Sequence, residues 1–414
     1  MNSDVLVLGA GMVGVSAALQ ILKRGRSVTL VDRRGTAEET SFGNAGLIQR
    51  EGVVPYAFPH DFGKILSYAL NNRTDARYQP LALPWIAMSL YRYWRWSTPD
   101  GIAATARAAR PLVERSLSEH EALMQEAGII AMLRRTGYLK FFRTAQAYEK
   151  AVTEEAQDRE RYGVTFEAID GNAIRNLEPH FLASAAGAIL MPQPASVADP
   201  SAVARAYAEL FIKLGGRIMR GEARTLQQTA TGWSVATSQG ALEARDAVIA
   251  LGPWSPDVYR PLGYRLPMFF KRGYHMTFAP SGNATLARPL LDAESGFVLT
   301  PMSRGIRMTT GVEFGRRDTP PTPVQVGRDE PIARATFPLG ERVDKEPWLG
   351  RRPSFPDMLP VIGPAPRHRG LWFDFGHHHL GFTLGPVTGR LLADLVTGAP
   401  PFTDPTPYSA TRFS

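Results

Sequence analysis

The chain of 414 residues has no cysteine. That absence excludes disulfides, cysteine-ligated iron–sulfur clusters, thiol nucleophiles and any thioether-linked prosthetic group within it. It leaves the compartment open, because reducing and oxidising milieux both tolerate a thiol-free protein. Runs of about 18 uninterrupted apolar residues are also missing, so no transmembrane helix is expected. Asp4 stands where a secretory leader would carry basic residues, so the start does not read as a signal peptide. The formal charge of +8 invites a nucleic-acid partner, yet Lys and Arg cluster only in pairs such as Arg33-Arg34, Arg134-Arg135, Arg316-Arg317 and Arg351-Arg352. A solvated basic surface that attracts small anions or lipid headgroups is expected, and no nucleic acid. With 44% apolar and 21% charged residues and no repeat, the composition is that of an ordinary globular chain with a substantial core.

What is present is concentrated at the start. Asp4 to Asp32 reads DVLVLGAGMVGVSAALQILKRGRSVTLVD, which is strand, glycine turn, helix and strand in dinucleotide-binding order. Gly9, Gly11 and Gly14 form G-x-G-x-x-G: the first for the tight turn, the second for close approach of a pyrophosphate, the third for packing of helix on strand. Ala10, Met12 and Val13 complete the turn, which leaves a phosphate at a helix N-terminus where free N–H groups and the helix dipole favour negative charge. Asp32 ends the second strand and is placed to accept from ribose hydroxyls. Its charge argues against a 2′-phosphorylated cofactor, although Arg33 and Arg34 adjoin it.

Further along, Glu39 to Gly46 (ETSFGNAG) is a small-residue loop, and Gly101 to Glu126 suits an exposed amphipathic helix pair. Short strands are expected at 137–142 and 187–191, a helix at 201–214 after Asp199-Pro200, and strands at 217–220, 233–237 and 247–251. The last, AVIAL followed by GPWS, reads as a central parallel strand with its turn. Segments 266–278 and 296–312 are β-rich, and Gly389 to Val396 forms a closing helix. Leu81 to Trp96 (LALPWIAMSLYRYWRW) admits two readings: a helix packing its aromatics inward, or an interfacial helix in peripheral contact with a membrane. The fold class is α/β (α+β overall). A discontinuous Rossmann-like domain (1–60, 185–262 and 345–414) is expected around a substrate domain (61–184 and 263–344) with a mixed, largely antiparallel sheet.

Five motifs in order carry a resemblance over most of the chain. The opening turn, ETSFGNAG, GPWS at Gly252 to Ser255, WLGRRPSFPDMLPVIG at Trp348 to Gly363 and FGHHHLGFTLGPVTG at Phe375 to Gly389 resemble the D-amino-acid-oxidase-type FAD oxidoreductases. Within them the pattern is similar to D-amino-acid dehydrogenases and glyphosate-oxidoreductase-like enzymes, and KRGYH at Lys271 to His275 favours the latter.

The resemblance implies FAD, and with no cysteine and a complete opening motif it is expected to be held without a covalent link. It places Ser41, Gly43, Asn44, Ala45 and Gly46 beside the flavin ring, and Gly252 and Trp254 near the phosphates. The loop of Gly376, Leu380, Gly381, Phe382 and Thr383 faces the flavin pyrimidine edge, where helix-end donors stabilise developing negative charge. Arg352, in the G-x-R-P run Gly350 to Pro353, corresponds to the arginine that forks onto the substrate carboxylate, as its planar, always-charged head suits. Arg351 stands where an apolar residue is usual. Tyr274 and His275 are candidates for the pocket wall, of which strand alternation lets only one face the ligand. His377 and His379 are expected near the flavin. Three consecutive histidines converge poorly on one ion, so no metal is expected.

The implied reaction is oxidative deamination of an amino acid or related amine-carboxylate. Hydride leaves the substrate C–H for flavin N5, and the imine hydrolyses to an oxo acid with no obligatory general base. The electron acceptor is oxygen or a quinone, and the expected location is cytoplasmic, with peripheral contact at the inner membrane surface as an option. Secondary-amine or N-substituted glycine oxidation (glyphosate, opine or hydroxyproline type) is the alternative. An NAD-dependent dehydrogenase or a flavin-carrying subunit of an electron-transfer complex would share the opening motif.

Overall fold

The structure, a computed structural model, describes residues 3–413. Its first sheet has a parallel centre. The apolar strand Ser3–Leu8 pairs in parallel with Val28–Asp32 on one side and with the end of Gly240–Ile249 on the other. Arg217–Gln228 and Leu371–Phe375 extend it in parallel at either end, and Trp233–Thr237 turns back between the two long strands. A fully buried strand needs no polar face, which is why Val5 to Leu8 read as one apolar run.

Two helices lie together on this sheet: Met12–Lys23, and the closing helix Gly381–Thr397, which starts well before the expected 389–396. Their close crossing is made by Gly385 and Gly389. A Cβ on Gly385 would stand 2.8 Å from Met12 Cγ, and one on Gly389 would stand 2.7 Å from the Ala17 backbone nitrogen. Small residues at i and i+4 therefore bring both helix N-termini to one place, beside the C-terminal ends of the central strands.

The second sheet is mixed and mainly antiparallel. Its centre, Phe269–Pro280, pairs antiparallel with Gly305–Thr309, Val312–Phe314, Leu339–Arg342 and Trp348–Ser354. Parallel pairs also occur, as between Leu290–Asp292 and Tyr138–Phe142. The strands Gly187–Met191 and Trp348–Ser354, inside the segments expected for the Rossmann-like domain, belong to this second sheet.

Two helical expectations are corrected. Pro99–Glu126 is one helix, not a pair, and Leu112, Val113, His120 and Leu123 on one of its faces are buried. The helix Leu83–Trp96 packs only Tyr93 of its aromatics inward, beside Ile86, while Trp85 (67%), Met88 (58%) and Tyr91 (51%) are exposed. Phe62, Leu66 and Leu70, on or just after the helix Phe62–Ala69, are exposed too. Among the described residues no helix is long and apolar enough to cross a membrane.

Candidate active site

A single elongated cavity of about 950 Å³ runs from the glycine turn, along the two helix N-termini, to the ribbon of Phe269–Pro280 and Trp348–Ser354. Such a volume lies near the top of the range for ligand sites, roughly 300 to 1,000 Å³.

At one end glycine backbone comes close to the cavity, with polar side chains around it. Gly9 has φ +107°, and a Cβ there would meet Ala250 O at 2.5 Å. Gly14 has no room for a Cβ either, because Gly9 O would lie 1.8 Å from it. Gly11 differs: its Cβ would stand 3.2 Å from Ser41 Oγ, and the residue lines the cavity. Ser41 Oγ accepts from Met12 N at 3.0 Å and so caps the first turn of the helix. Asp32 also lines this end, its carboxylate accepting from Ala10 N (2.9 Å) and Arg34 N (2.8 Å). Arg33 lies 4.7 Å over the Trp254 ring and pairs with Glu39 at 2.8 Å. Arg33, Gly252 and Trp254 therefore wall the same end as Asp32.

The middle is the loop with Gly43, Asn44 and Ala45 on one side and Gly376, His377, Gly381 and Phe382 on the other. Gly43 is obligatory, because a Cβ would enter the Trp348 ring at 1.9 Å. Arg307, which the motifs do not point to, holds this loop by donating to Asn44 O at 2.6 Å. Ala10, Gly14, Gly46, Leu380 and Thr383 stand behind the residues that line the cavity. They shape its walls: Gly46 N donates to Asn44 Oδ1 at 2.8 Å, Leu380 N to His377 O at 2.9 Å, and Thr383 Oγ1 to Leu47 O at 3.2 Å.

At the far end, strand register decides which side chains enter. Lys271 pairs with Arg352, Gly273 with Gly350 and His275 with Trp348, so these three rungs share one face. His275 stacks on Trp348 (4.9 Å between centroids) and lies 3.3 Å from Gly43 O. It supports the loop and does not line the cavity, against expectation, and burial lowers its pKa to about 3. The Tyr274 side chain leaves the opposite face, where its hydroxyl donates to Glu313 at 2.9 Å and accepts from Thr322 N at 2.8 Å. Tyr274 lines the cavity, but its hydroxyl is turned away from it.

Arg352 does face the cavity. Its guanidinium lies over Gly273, whose missing Cβ would stand 2.6 Å from Nη2, and donates to Gly311 O at 3.1 Å. Burial lowers its pKa to about 10, which leaves it charged at neutral pH. Arg351 points elsewhere, donating to Arg317 O at 2.9 Å.

The three histidines diverge. His377 Nε2 lies 3.0 Å from Thr388 Oγ1 and 3.3 Å from Asp374. His378 has φ +43°, and its backbone N–H donates to Pro353 O, tying the turn to the strand of Arg352. His379 lines the cavity with its ring 5.2 Å from that of Tyr56. Burial, with Arg352 and Lys271 nearby, lowers its pKa to about 3, so it is neutral. Among the described residues no three His, Cys, Asp or Glu side chains are grouped to hold a metal ion.

These walls fit FAD. The glycine turn admits a pyrophosphate at one helix N-terminus, an acid marks the ribose end, and a second helix N-terminus meets the cavity where a flavin ring would extend. The model of the family described as "FAD dependent oxidoreductase" matches residues 4–395. The chain belongs to that family.

Relatives of this FAD-dependent oxidoreductase carry related names. It is 28% identical over 423 residues to a D-amino-acid oxidase of Bradyrhizobium diazoefficiens, covering 99% of this chain and 98% of the other. It is 33% identical over 415 residues to a D-amino acid dehydrogenase of Paramagnetospirillum magneticum, covering 96% and 95%. Glycine oxidase from Geobacillus kaustophilus shares the fold, with TM-score 0.75, 22% identity and 99% of each chain covered. So does iminodiacetate oxidase from Chelativorans sp. BNC1, with TM-score 0.72, 19% identity and 98% of each chain covered.

Sequence reasoning missed Lys271, Tyr93, Tyr56 and Arg307. Lys271 lies within the quoted KRGYH run, where alternation from Gly273 and pairing to the G-x-R-P strand are the signals that mark it. Tyr56 and Tyr93 come from segments with no motif, so only tertiary packing brings them in.

Proposed function

We propose that this oxidoreductase oxidises the C–N bond of amino acids and related amine-carboxylates, D-amino acids foremost. The observation that carries the reading is Arg352, a cation facing the far end of the cavity, whose hydrogen bonds here go to backbone carbonyls and leave guanidinium donors for a carboxylate. The D-amino-acid oxidase and dehydrogenase names of the relatives support it. Gripped there, a substrate has its amine-bearing carbon directed back toward the middle of the cavity. When bound, FAD accepts the two electrons as a hydride. The amine nitrogen gives up a proton to solvent, and the resulting imine takes up water to release an oxo acid and ammonia, or a smaller amine. No acid–base side chain is assigned, because burial leaves His379 a weak base and His377 is turned toward Thr388 and Asp374.

In this reading FAD is held without a covalent bond, consistent with a chain that lacks cysteine. The segments 1–60, 185–262 and 345–414 form its cofactor domain and 61–184 with 263–344 the substrate domain, apart from the two exchanged strands. Electrons leave to oxygen or to a quinone. The exposed apolar side chains of Phe62–Ala69 and Leu83–Trp96, with Arg92 and Arg95 among them, support peripheral contact with an anionic membrane, at its cytoplasmic side.

Anaerobic mixing of the yellow protein with a panel of D- and L-amino acids and N-substituted glycines tests the reaction. The flavin band bleaches with at least one carboxylate-bearing amine; a band that stays unbleached by every member contradicts the reading. Acid precipitation of the same protein releases all the yellow colour if FAD is non-covalent, and colour kept in the pellet, for instance through a histidine, contradicts that.

A further inference from the structure

Beside Arg352 stands a second cation that the amine-carboxylate reading does not use. Lys271 is the register partner of Arg352, and its side chain leaves the same face of the ribbon toward the cavity. It is 5% exposed, and its Nζ donates to Tyr93 Oη at 2.9 Å and lies 3.3 Å from Met358 Sδ. Among the described residues no carboxylate pairs with Lys271 or Arg352. Arg272 and Arg412, by contrast, have one: Arg272 lies 3.2 Å from Glu313, and Arg412 lies 2.7 Å from Asp357.

Two like charges side by side in a low-dielectric wall are costly, so Lys271 keeps its proton best when a ligand anion neutralises it. One carboxylate balances one of them. Tyr93 takes a single Lys271 donor and the thioether is a weak acceptor, so the ammonium keeps donor capacity for an anion. His378 and His379, the other titratable groups near Lys271, are held neutral by burial and supply no counter-charge.

We propose that the substrate carries two anionic groups: it is an amino dicarboxylic acid or an N-(carboxyalkyl) amino acid. Arg352 takes the carboxylate next to the reacting carbon, and Lys271 takes the second anion and sets the preference for it. The inference rests on the amine-carboxylate reading of this cavity and narrows its substrate class.

Binding separates the two claims, because it needs no turnover. Titration calorimetry of the FAD-loaded protein compares succinate and glutarate with their monoamides, succinamate and glutaramate. The expected result is a Kd at least about tenfold lower for each diacid, as one charge-assisted contact supplies. Lys271→Met, judged on preparations with wild-type FAD content, loses most of that ratio, and Lys271→Arg keeps it. Diacids and monoamides binding wild type within about twofold, or Lys271→Met keeping the ratio, overturns the proposal. If diacids are preferred through Lys271 while no amine bleaches the flavin, amine oxidation is wrong and the dianion site stands.

Discussion

The two ends of the cavity are built on different principles. The end that fits FAD is organised by backbone, with Asp32, Arg33 and Trp254 around it: a glycine turn at one helix N-terminus, a second helix N-terminus beside it, and a loop in which Gly43 yields its Cβ space to Trp348. The far end, which we propose takes the substrate, is made of side chains, with Lys271 and Arg352 from two paired strands, Tyr93 from a helix and Tyr56 and His379 from loops. Backbone recognition depends on which positions lack a side chain. Side-chain recognition depends on which residues long-range pairing happens to align. The first can be written in a local motif, and the second cannot.

The most severe way to break the comparison is Gly11→Val. A branched side chain in the cavity blocks the close approach a pyrophosphate needs, so the variant purifies without FAD. An absorbance spectrum with the full flavin band would move the nucleotide site elsewhere.

Arg352→Ala comes next. It removes a two-pronged, charge-assisted contact and is expected to cost about 3 to 4 kcal/mol in kcat/KM, or about 10²- to 10³-fold. Arg352→Lys recovers part of this, because a point charge does not reproduce the fork. Steady-state kinetics with a carboxylate-bearing amine and a simple amine checks it: the loss falls on the acid, and equal losses on both would remove Arg352 as the anchor.

Asp32→Ala acts at the other end and is smaller. Losing a charged acceptor costs roughly 1.5 to 3 kcal/mol of FAD affinity, read by fluorescence titration of apoprotein. Unchanged affinity would show that the carboxylate serves only Ala10 N and Arg34 N, which it accepts from in the structure.

The smallest effect sharpens the substrate end. Burial, and after it the charge of Arg352, lowers the Lys271 pKa to about 7, so the cation is present below that pH and lost above it. Diacid affinity of the holoprotein is therefore full at low pH and falls by up to about tenfold per unit as pH rises through neutrality. His378 and His379 stay neutral throughout, and Tyr93 titrates far higher, so none of them reproduces this profile. A pH-independent diacid-to-monoamide ratio between pH 6 and pH 9 would contradict it.

The same division governs what the sequence makes legible. The motif Gly9 to Gly14 and Asp32 are local, and their roles follow from spacing and conformational need; the loop at Ser41 to Ala45 is local too, but its role is implied by the family resemblance. Arg352 was reachable because G-x-R-P is local too. Tyr274 and His275 show the limit: alternation states that only one faces the ligand, but the register with Trp348–Ser354 carries His275 under the loop and Tyr274 to the other face. The crossing at Gly385 and Gly389 is likewise invisible until Met12 and Ala17 are known to lie against them. The exposed aromatics of Leu83–Trp96 defeat a packing rule, since hydrophobic composition does not say whether the partner is this chain's own core.

The central claim, that one end of the cavity holds cofactor by backbone and the other holds substrate by charge, is tested most directly by a double-mutant cycle on Asp32→Ala and Arg352→Ala. FAD affinity and the anaerobic rate of flavin reduction at saturating FAD are measured for both singles and the double. The account predicts that Arg352→Ala leaves FAD affinity within about twofold of wild type, and that the losses add within about 0.5 kcal/mol in the double variant. A tenfold or greater loss of FAD affinity in Arg352→Ala, or strong coupling between the two positions, would contradict it.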